Sequence, residues 1–130
     1  MSRAAGAFEV TVRPLDAYAS AESPGLGRMS LDKQYHGDLE ATAKGEMLTA
    51  MTAVKESGVY VAVERVSGTL HGKRGTFMMH HTGVMERGTQ RLAIAIVSDS
   101  GTDELAGIEG TMTIEIKDKK HYYSIEYPQG

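Results

Sequence analysis

The chain has 130 residues, including 15 glycines and no cysteine, and its formal net charge is −3. This length suits a single domain with its own core, and without cysteine the chain forms neither a disulfide nor a thiolate metal site. Lys and Arg do not cluster as nucleic-acid binding requires, and no apolar run approaches the ~20 residues of a membrane-spanning helix. The start, Met1 to Gly6, lacks the apolar stretch of a signal peptide. We therefore expect one domain, residues 1–130, in the cytoplasm, bound to neither nucleic acid nor membrane.

Alternating apolar and polar residues predict β-strands along most of the chain. The first strand alternates from Phe8 to Val12, and residues 14–25, which include two prolines, interrupt the alternation as a loop. The pattern resumes over 29–36 and then turns at Gly37-Asp38 into a third strand.

The direction of the polar side chains on the second strand is ambiguous. Strict pairing about a two-residue turn at Gly37-Asp38 points inward the side chains of Arg28, Ser30, Asp32, Gln34 and His36. That arrangement requires either a polar-lined cavity or a shift of register, and the sequence leaves both open. The same ambiguity applies to Glu46, although the alternation of its own strand places it on the polar face.

The stretch from Val59 to Glu86 predicts a β-hairpin, because two alternating runs flank a short polar turn. A turn centred on Gly72-Lys73 places Glu64 directly opposite His81. Both residues lie on the more apolar face of the hairpin, which is the better candidate for a protein interior.

Further strands follow at 91–97, 112–116 and 121–127, separated by turns. Between them, Thr102 to Ala106 predicts one helical turn with Thr102 as N-cap. About eight strands joined by short connections predict an all-β fold, most simply a closed antiparallel meander β-barrel, because closure removes exposed edges. A two-sheet sandwich is the alternative.

Glu64 and His81 are the candidate catalytic residues. A carboxylate facing an imidazole on an apolar wall fits an acid–base couple or a polar anchor in a ligand cavity. It also fits a hydrogen-bonded contact that only fixes strand register. Because small barrels often hold one ligand, the predicted ligand-binding residues are those of the inner face: Tyr60, Glu64, Phe77, Met79 and His81.

Neither a metal site nor another cofactor is predicted. His80 and His81 are adjacent in a strand, so their rings point to opposite faces and do not chelate one ion together. The remaining histidines share no ligand spacing, and the chain carries no phosphate-binding glycine loop of the known patterns.

The other face of the hairpin carries an apolar stripe of Val59, Val61, Val63, Met78 and Val84. Exposed stripes of this kind usually mark subunit contacts. We therefore predict a homo-oligomer, most simply a twofold dimer, through the face that bears Val61, Val63 and Val84.

Several turn-and-strand motifs resemble those of a known family. They are Gly-Asp-Leu-Glu at 37–40, Gly-Glu-Met-Leu at 45–48, the run from Val63 to Phe77, His-His-Thr-Gly at 80–83 and Ser-Gly-Thr-Asp-Glu-Leu-Ala-Gly-Ile-Glu-Gly at 100–110. Over nearly the whole chain, these are similar to the small bacterial proteins grouped as domain of unknown function 3224. The resemblance implies a closed barrel like that of allene oxide cyclase, with Glu and His at the positions of Glu64 and His81. It implies no established activity, because a shared fold does not transfer a reaction.

Three functions follow as hypotheses. The first is a barrel that binds a small, partly apolar molecule in its interior. The second is an isomerase or cyclase type of enzyme that uses Glu64 and His81 as an acid–base pair. The third is an oligomeric structural module with a filled barrel. An interior without a void beside Glu64 would remove the two ligand hypotheses.

Overall fold

The chain forms a closed barrel of eight antiparallel strands in a computed structural model that describes residues 1–18 and 23–128. Strands adjacent in sequence are neighbours in the barrel, and the last strand pairs with the first. The predicted all-β meander barrel is thereby confirmed. The strands are β1 (Ser2–Leu15), β2 (Leu26–Tyr35), β3 (Leu39–Met51), β4 (Gly58–Leu70), β5 (Lys73–Glu86), β6 (Thr89–Ile96), β7 (Thr111–Lys117) and β8 (Lys120–Tyr127).

The β4–β5 hairpin has a register two residues away from the predicted one. His71 and Gly72 both have positive φ, at 48° and 79°, as a type I′ turn requires, and Leu70 pairs with Lys73 across them. Glu64 therefore stands opposite Met79 and not opposite His81, so the predicted direct pairing is wrong. A shift of two residues leaves every side chain on its predicted face, since side chains alternate with a period of two.

The β2–β3 connection is one residue longer than the sequence suggested. Tyr35 pairs with Ala41 across a loop at 36–38, whose His36 and Asp38 N–H groups donate to backbone oxygens of β1. A shift of one residue exchanges the faces of a strand. Lys33 and Tyr35 consequently point inward.

The polar residues whose direction was ambiguous lie on the outside of the barrel. Their exposed contacts are ion pairs between neighbouring strands: Arg28 Nε lies 2.6 Å from Glu46 Oε1, and Lys44 Nζ lies 3.0 Å from Asp32 Oδ1. Of the two possibilities that the sequence left open, the structure shows the shift of register and not a polar-lined cavity at this strand. The predicted loop at 14–25 begins after Leu15, and its residues 19–22 lie outside the described part of the chain.

One end of the barrel is closed by side chains. Leu39 and Leu70 are buried there, and a 3₁₀ helix at Asp103–Leu105 places Leu105 against Gly75. The helical turn predicted near Thr102 is therefore present. The Thr102 hydroxyl makes no cap hydrogen bond and lies instead 2.8 Å from the Thr76 hydroxyl of β5. These contacts tie the β6–β7 connection across the closed end.

Candidate functional site

Four inward-facing polar side chains meet inside the barrel, between its closed end and its opposite, open end. Glu64 Oε1 accepts a hydrogen bond of 2.6 Å from the Tyr35 hydroxyl. Glu64 Oε2 accepts one of 2.7 Å from Lys33 Nζ and lies 2.9 Å from His81 Nε2. All four side chains are buried. We call Lys33, Tyr35, Glu64 and His81 the charged floor.

Glu64 and His81 meet diagonally across the hairpin ladder. His81 stands opposite Ala62, and Glu64 stands opposite Met79, one inward position further along. Diagonal neighbours in a sheet lie about 7–8 Å apart at the backbone, which is within reach of these long side chains. The small Ala62 leaves room for the imidazole to lean toward Glu64. The predicted contact therefore forms, although the predicted register does not.

The neighbours of Glu64 keep its carboxylate ionised. Burial alone would raise the pKa of Glu64, but the hydrogen bond from His81, the charge of Lys33 and the hydrogen bonds from Lys33 and Tyr35 outweigh it and lower that pKa to about 2. Burial and the Glu64 charge raise the pKa of Tyr35 well above its ordinary value. The floor thus holds a permanent carboxylate and a phenol that stays protonated.

The ionised carboxylate fixes the tautomer of His81. Because the ionised Glu64 Oε2 accepts a hydrogen bond from Nε2–H, the lone pair of a neutral His81 ring resides on Nδ1. Every fully buried side-chain nitrogen or oxygen in the described residues has a hydrogen-bond partner, yet Nδ1 of His81 has none. Nδ1 is therefore the ring atom that keeps access to the surface, in a side chain that is otherwise buried.

The open end of the barrel is lined by apolar side chains that point inward and yet remain accessible. Their direction follows from their partners across the strands: Val12 stands opposite Leu31, Leu92 opposite Gly83 and Ile116 opposite His121. Their exposed fractions are 39 %, 44 % and 63 %. Around them, half-buried inward-facing residues complete the rim: Val10, Met29, Met47, Tyr60 and Ile114. We call this rim the mouth.

The barrel wall is incomplete beside the mouth. Across the described residues, β6 and β7 pair only through Ile94 with Met112 and Ala95 with Thr111. Toward the mouth, the segments 89–93 and 113–117 are therefore not paired with each other by backbone hydrogen bonds. On the other side of the mouth, a pocket of about 100 Å³ lies against Tyr60, Gly83 and Leu92.

The predicted site residues divide between three levels of the barrel. Tyr60 belongs to the mouth, where its ring lies over Gly83, and burial and the Glu64 charge raise its pKa. Glu64 and His81 belong to the charged floor. Phe77 and Met79 are buried in the hydrophobic core beneath it. The structure therefore places Tyr60 at the mouth and Glu64 and His81 deeper in the barrel, and it gives Phe77 and Met79 a packing role.

Sequence reasoning missed Lys33 and Tyr35. Both lie on the strand whose register was ambiguous, and the available signal was the alternation of Leu31, Lys33 and Tyr35 with more polar neighbours. Had the β2–β3 connection been read as three residues, that alternation would have placed Lys33 on the inner face. Lys33 also lies over the ring of Phe8, with Nζ 5.4 Å from the ring centroid.

No helix in the described residues is long and apolar enough to cross a membrane. In that same part of the chain, no three His, Cys, Asp or Glu side chains are grouped as a metal ion would require.

The comparisons with known proteins agree on one family. A family model described as protein of unknown function (DUF3224) matches residues 4–127. A solved structure of a protein with unknown function from the DUF3224 family, from Shewanella oneidensis MR-1, is 46% identical, with a TM-score of 0.93, and the alignment covers 98% of this chain and 96% of that chain. No curated protein matches significantly, and the likeness to allene oxide cyclase stays a prediction. The chain belongs to the DUF3224 family.

Proposed function

We propose that the protein binds a small, partly apolar molecule at the mouth, with the polar group of that molecule directed toward the charged floor. The observation that carries this proposal is the contrast between the two ends of the barrel. Inward-facing Leu39 and Leu70 are buried at the closed end, whereas inward-facing Leu92 and Ile116 remain exposed at the mouth. Concave apolar surface with a few convergent polar groups is typical of small-molecule sites.

The core beneath the floor restricts where a ligand binds. Val66, Phe77 and Met79 are fully buried and pack in one cluster with the residues of the closed end. This packing supports the filled-barrel hypothesis for the lower half of the barrel. It limits the ligand to the level of the mouth, and the small pocket beside Tyr60 favours one ring or a short chain.

A proton-transfer enzyme is the second candidate function. The bare Nδ1 of His81 favours it, because a carboxylate that holds Nε2–H fixes the orientation of the imidazole. In that role Nδ1 would abstract a proton from a bound ligand, as an isomerase or cyclase requires. Glu64 would then act as the positioning residue and not as a base, since its low pKa keeps it ionised.

The binding proposal is tested with benzyl alcohol, a one-ring molecule with a polar group, and its binding is followed by ligand-observed NMR. Leu92 at the mouth and Leu26 on the outside offer a matched pair, with exposed fractions of 44% and 45%. We expect the wild type to bind benzyl alcohol, Leu92→Asn to weaken binding several-fold and Leu26→Asn to leave it unchanged. Absence of binding, or equal losses in both variants, would contradict the proposal and favour the filled barrel.

The proton-transfer candidate is tested separately with cyclohexanone in D₂O. Exchange of the protons next to the carbonyl is followed by NMR with wild type, with His81→Asn and without protein. Acceleration that His81→Asn abolishes supports an enzyme. A wild-type rate equal to that of buffer removes this candidate and leaves the binding proposal standing.

A further inference from the structure

The charged floor has one acceptor atom that makes no hydrogen bond. Glu64 uses both of its oxygens, Oε1 with Tyr35 and Oε2 with Lys33 and His81. The Tyr35 oxygen donates to Glu64 and accepts from Lys33 Nζ at 3.4 Å. Nδ1 of His81 is the acceptor that remains, and it is the floor atom that keeps access to the surface.

Lys33, the cation of the charged floor, is surrounded by its own neighbours and does not face a ligand. Lys33 Nζ donates to Glu64 and Tyr35, and its remaining side lies over the rings of Phe8 and Tyr35, at 5.4 Å and 5.8 Å from their centroids. A ligand carboxylate would therefore meet a lone pair on His81 and the negative charge of Glu64 behind it. A neutral hydroxyl or N–H group would meet an acceptor at the same place.

From this arrangement, and resting on the proposed binding function, we infer that the ligand is a small apolar molecule with a neutral hydrogen-bond donor, such as an alcohol, a phenol or an amine-bearing ring. His81 Nδ1 accepts the hydrogen bond from that donor. Glu64 acts through His81, because it holds the proton on Nε2 and so keeps Nδ1 bare.

The tautomer is tested first. Long-range ¹H–¹⁵N NMR spectra of the histidine rings distinguish a protonated nitrogen from one with a lone pair. We expect His81 to show a protonated Nε2 and an unprotonated Nδ1 at neutral pH, and Glu64→Gln to lose this single-tautomer signature. A proton found on Nδ1 of the wild type overturns the inference.

The ligand class is tested with two probes of nearly the same shape, p-cresol, which has a donor hydroxyl, and 4-methylanisole, which has none. We expect p-cresol to bind about tenfold more tightly, the effect of one hydrogen bond, and to shift the Nδ1 resonance of His81. His81→Phe should abolish the preference, while Leu26→Asn, on the outside of the barrel, should keep it. Equal affinities, or a preference that survives His81→Phe, overturn the inference while binding itself stands. Binding of neither probe overturns the proposed function as well.

An independent observation concerns the outside of the barrel. Six apolar side chains, Leu48, Val59, Val61, Val63, Met78 and Val84, form a continuous patch across the outward faces of β3, β4 and β5, which we call the outer patch. Leu48 is 58 % exposed and Val63 is 61 % exposed. Four of the six, Leu48, Val61, Val63 and Met78, line a shallow groove of about 740 Å³ whose rim includes Glu46, Arg65 and His80. Its exposed apolar area, on the order of 400 Å², lies within the range in which such patches are often functional.

The rim of the outer patch is arranged for a second copy of the same chain. Glu46 and His80 flank Val63 on opposite sides, in one row across the three strands. A twofold axis along β4 in the plane of contact sets Val63 against itself and Glu46 of each copy against His80 of the other. Arg65, the next outward residue of β4, leans toward Thr76 and donates to its hydroxyl at 3.3 Å.

We propose that the outer patch is the contact of a twofold homodimer. Sedimentation equilibrium of the wild type should give twice the chain mass of 14.0 kDa. Val63→Asp should return the mass to one chain, whereas Tyr122→Asp, at an outward residue of β8 across the barrel, should leave the dimer intact. Glu46→Lys should weaken the dimer, and Glu46→Lys combined with His80→Glu should restore it. A monomeric wild type at high concentration, or a dimer that survives Val63→Asp, overturns the proposal.

Discussion

Replacing Glu64 with Gln tests the charged floor most directly. Gln keeps the shape of the side chain and removes its charge, so Lys33 is left buried without a counter-ion. Removing one member of a buried ion pair destabilises a protein by about 3–5 kcal/mol. We therefore expect the unfolding free energy of Glu64→Gln at pH 7 to fall by about 3 kcal/mol.

The pKa of Glu64 gives a second route to the same magnitude. Folding lowers this pKa from its ordinary value of 4.5 to about 2. A group with a lowered folded-state pKa adds stability above its unfolded pKa, and that stability is lost as the pH falls through the folded value. The difference corresponds to about 3 kcal/mol, present above pH 5 and lost progressively toward pH 2.

The assay is urea unfolding followed by far-UV circular dichroism, since the chain has no tryptophan. At pH 7 the midpoint of Glu64→Gln should lie about 2 M below that of the wild type. The gap should close as the pH falls toward 2, because protonation converts the wild-type carboxylate into a neutral group. Other titrating groups are common to both proteins and cancel in the comparison.

Asp32→Asn is the matched control. Asp32 also pairs with a lysine, with its Oδ1 3.0 Å from Lys44 Nζ, but this ion pair is exposed. Its stability curve should follow that of the wild type, because exposed ion pairs contribute little. A Glu64→Gln variant as stable as the wild type at pH 7, or a gap that stays constant down to pH 2, would refute the reasoning.

The remaining predictions concern the floor, the mouth and the hairpin turn. The double variant Lys33→Met with Glu64→Met should recover most of the stability lost in Glu64→Gln when both are unfolded in urea, since paired apolar replacements of buried ions are often neutral. Gly83→Ala should displace the Tyr60 ring, because the added Cβ overlaps it, and should shift the Tyr60 ring resonances in NMR at a cost of about 1–2 kcal/mol; unchanged resonances would contradict the packing. Gly72→Ala should cost about 1 kcal/mol in the same unfolding assay through its φ of 79° alone, since no atom lies within 4 Å of the new Cβ, and a larger loss would indicate an unrecognised contact.

The barrel itself was predictable because alternation and turn residues recur along the chain and because closure is the simplest way to remove sheet edges. The faces of the central hairpin were also predictable. Its register was not, because His71-Gly72 and Gly72-Lys73 both fit a polar hairpin turn in the sequence. Since the two registers differ by an even number of residues, Glu64 and His81 lie on the same face in both, and the predicted contact between them is present.

Only Glu64 and His81 of the charged floor were predictable, because the predicted register of β2 was wrong by an odd number of residues. One extra residue in the 36–38 loop exchanges inward and outward side chains, and it moves Lys33 and Tyr35 from the outside to Glu64. Nothing local distinguishes a two-residue from a three-residue connection here. The choice is made by backbone hydrogen bonds from the loop to Ala5 and Ala7 of β1, far away in sequence.

The short pairing between β6 and β7 leaves two strand edges that could template aggregation. An edge with free N–H and C=O groups can recruit a strand from another chain, and charged side chains are the common protection. Arg91 lies on the free part of β6, and Glu115 and Lys117 lie on the free part of β7. These charges protect the unpaired strand edges beside the mouth, and neutral substitutions at these positions should make the gap a site of fibrillar self-association.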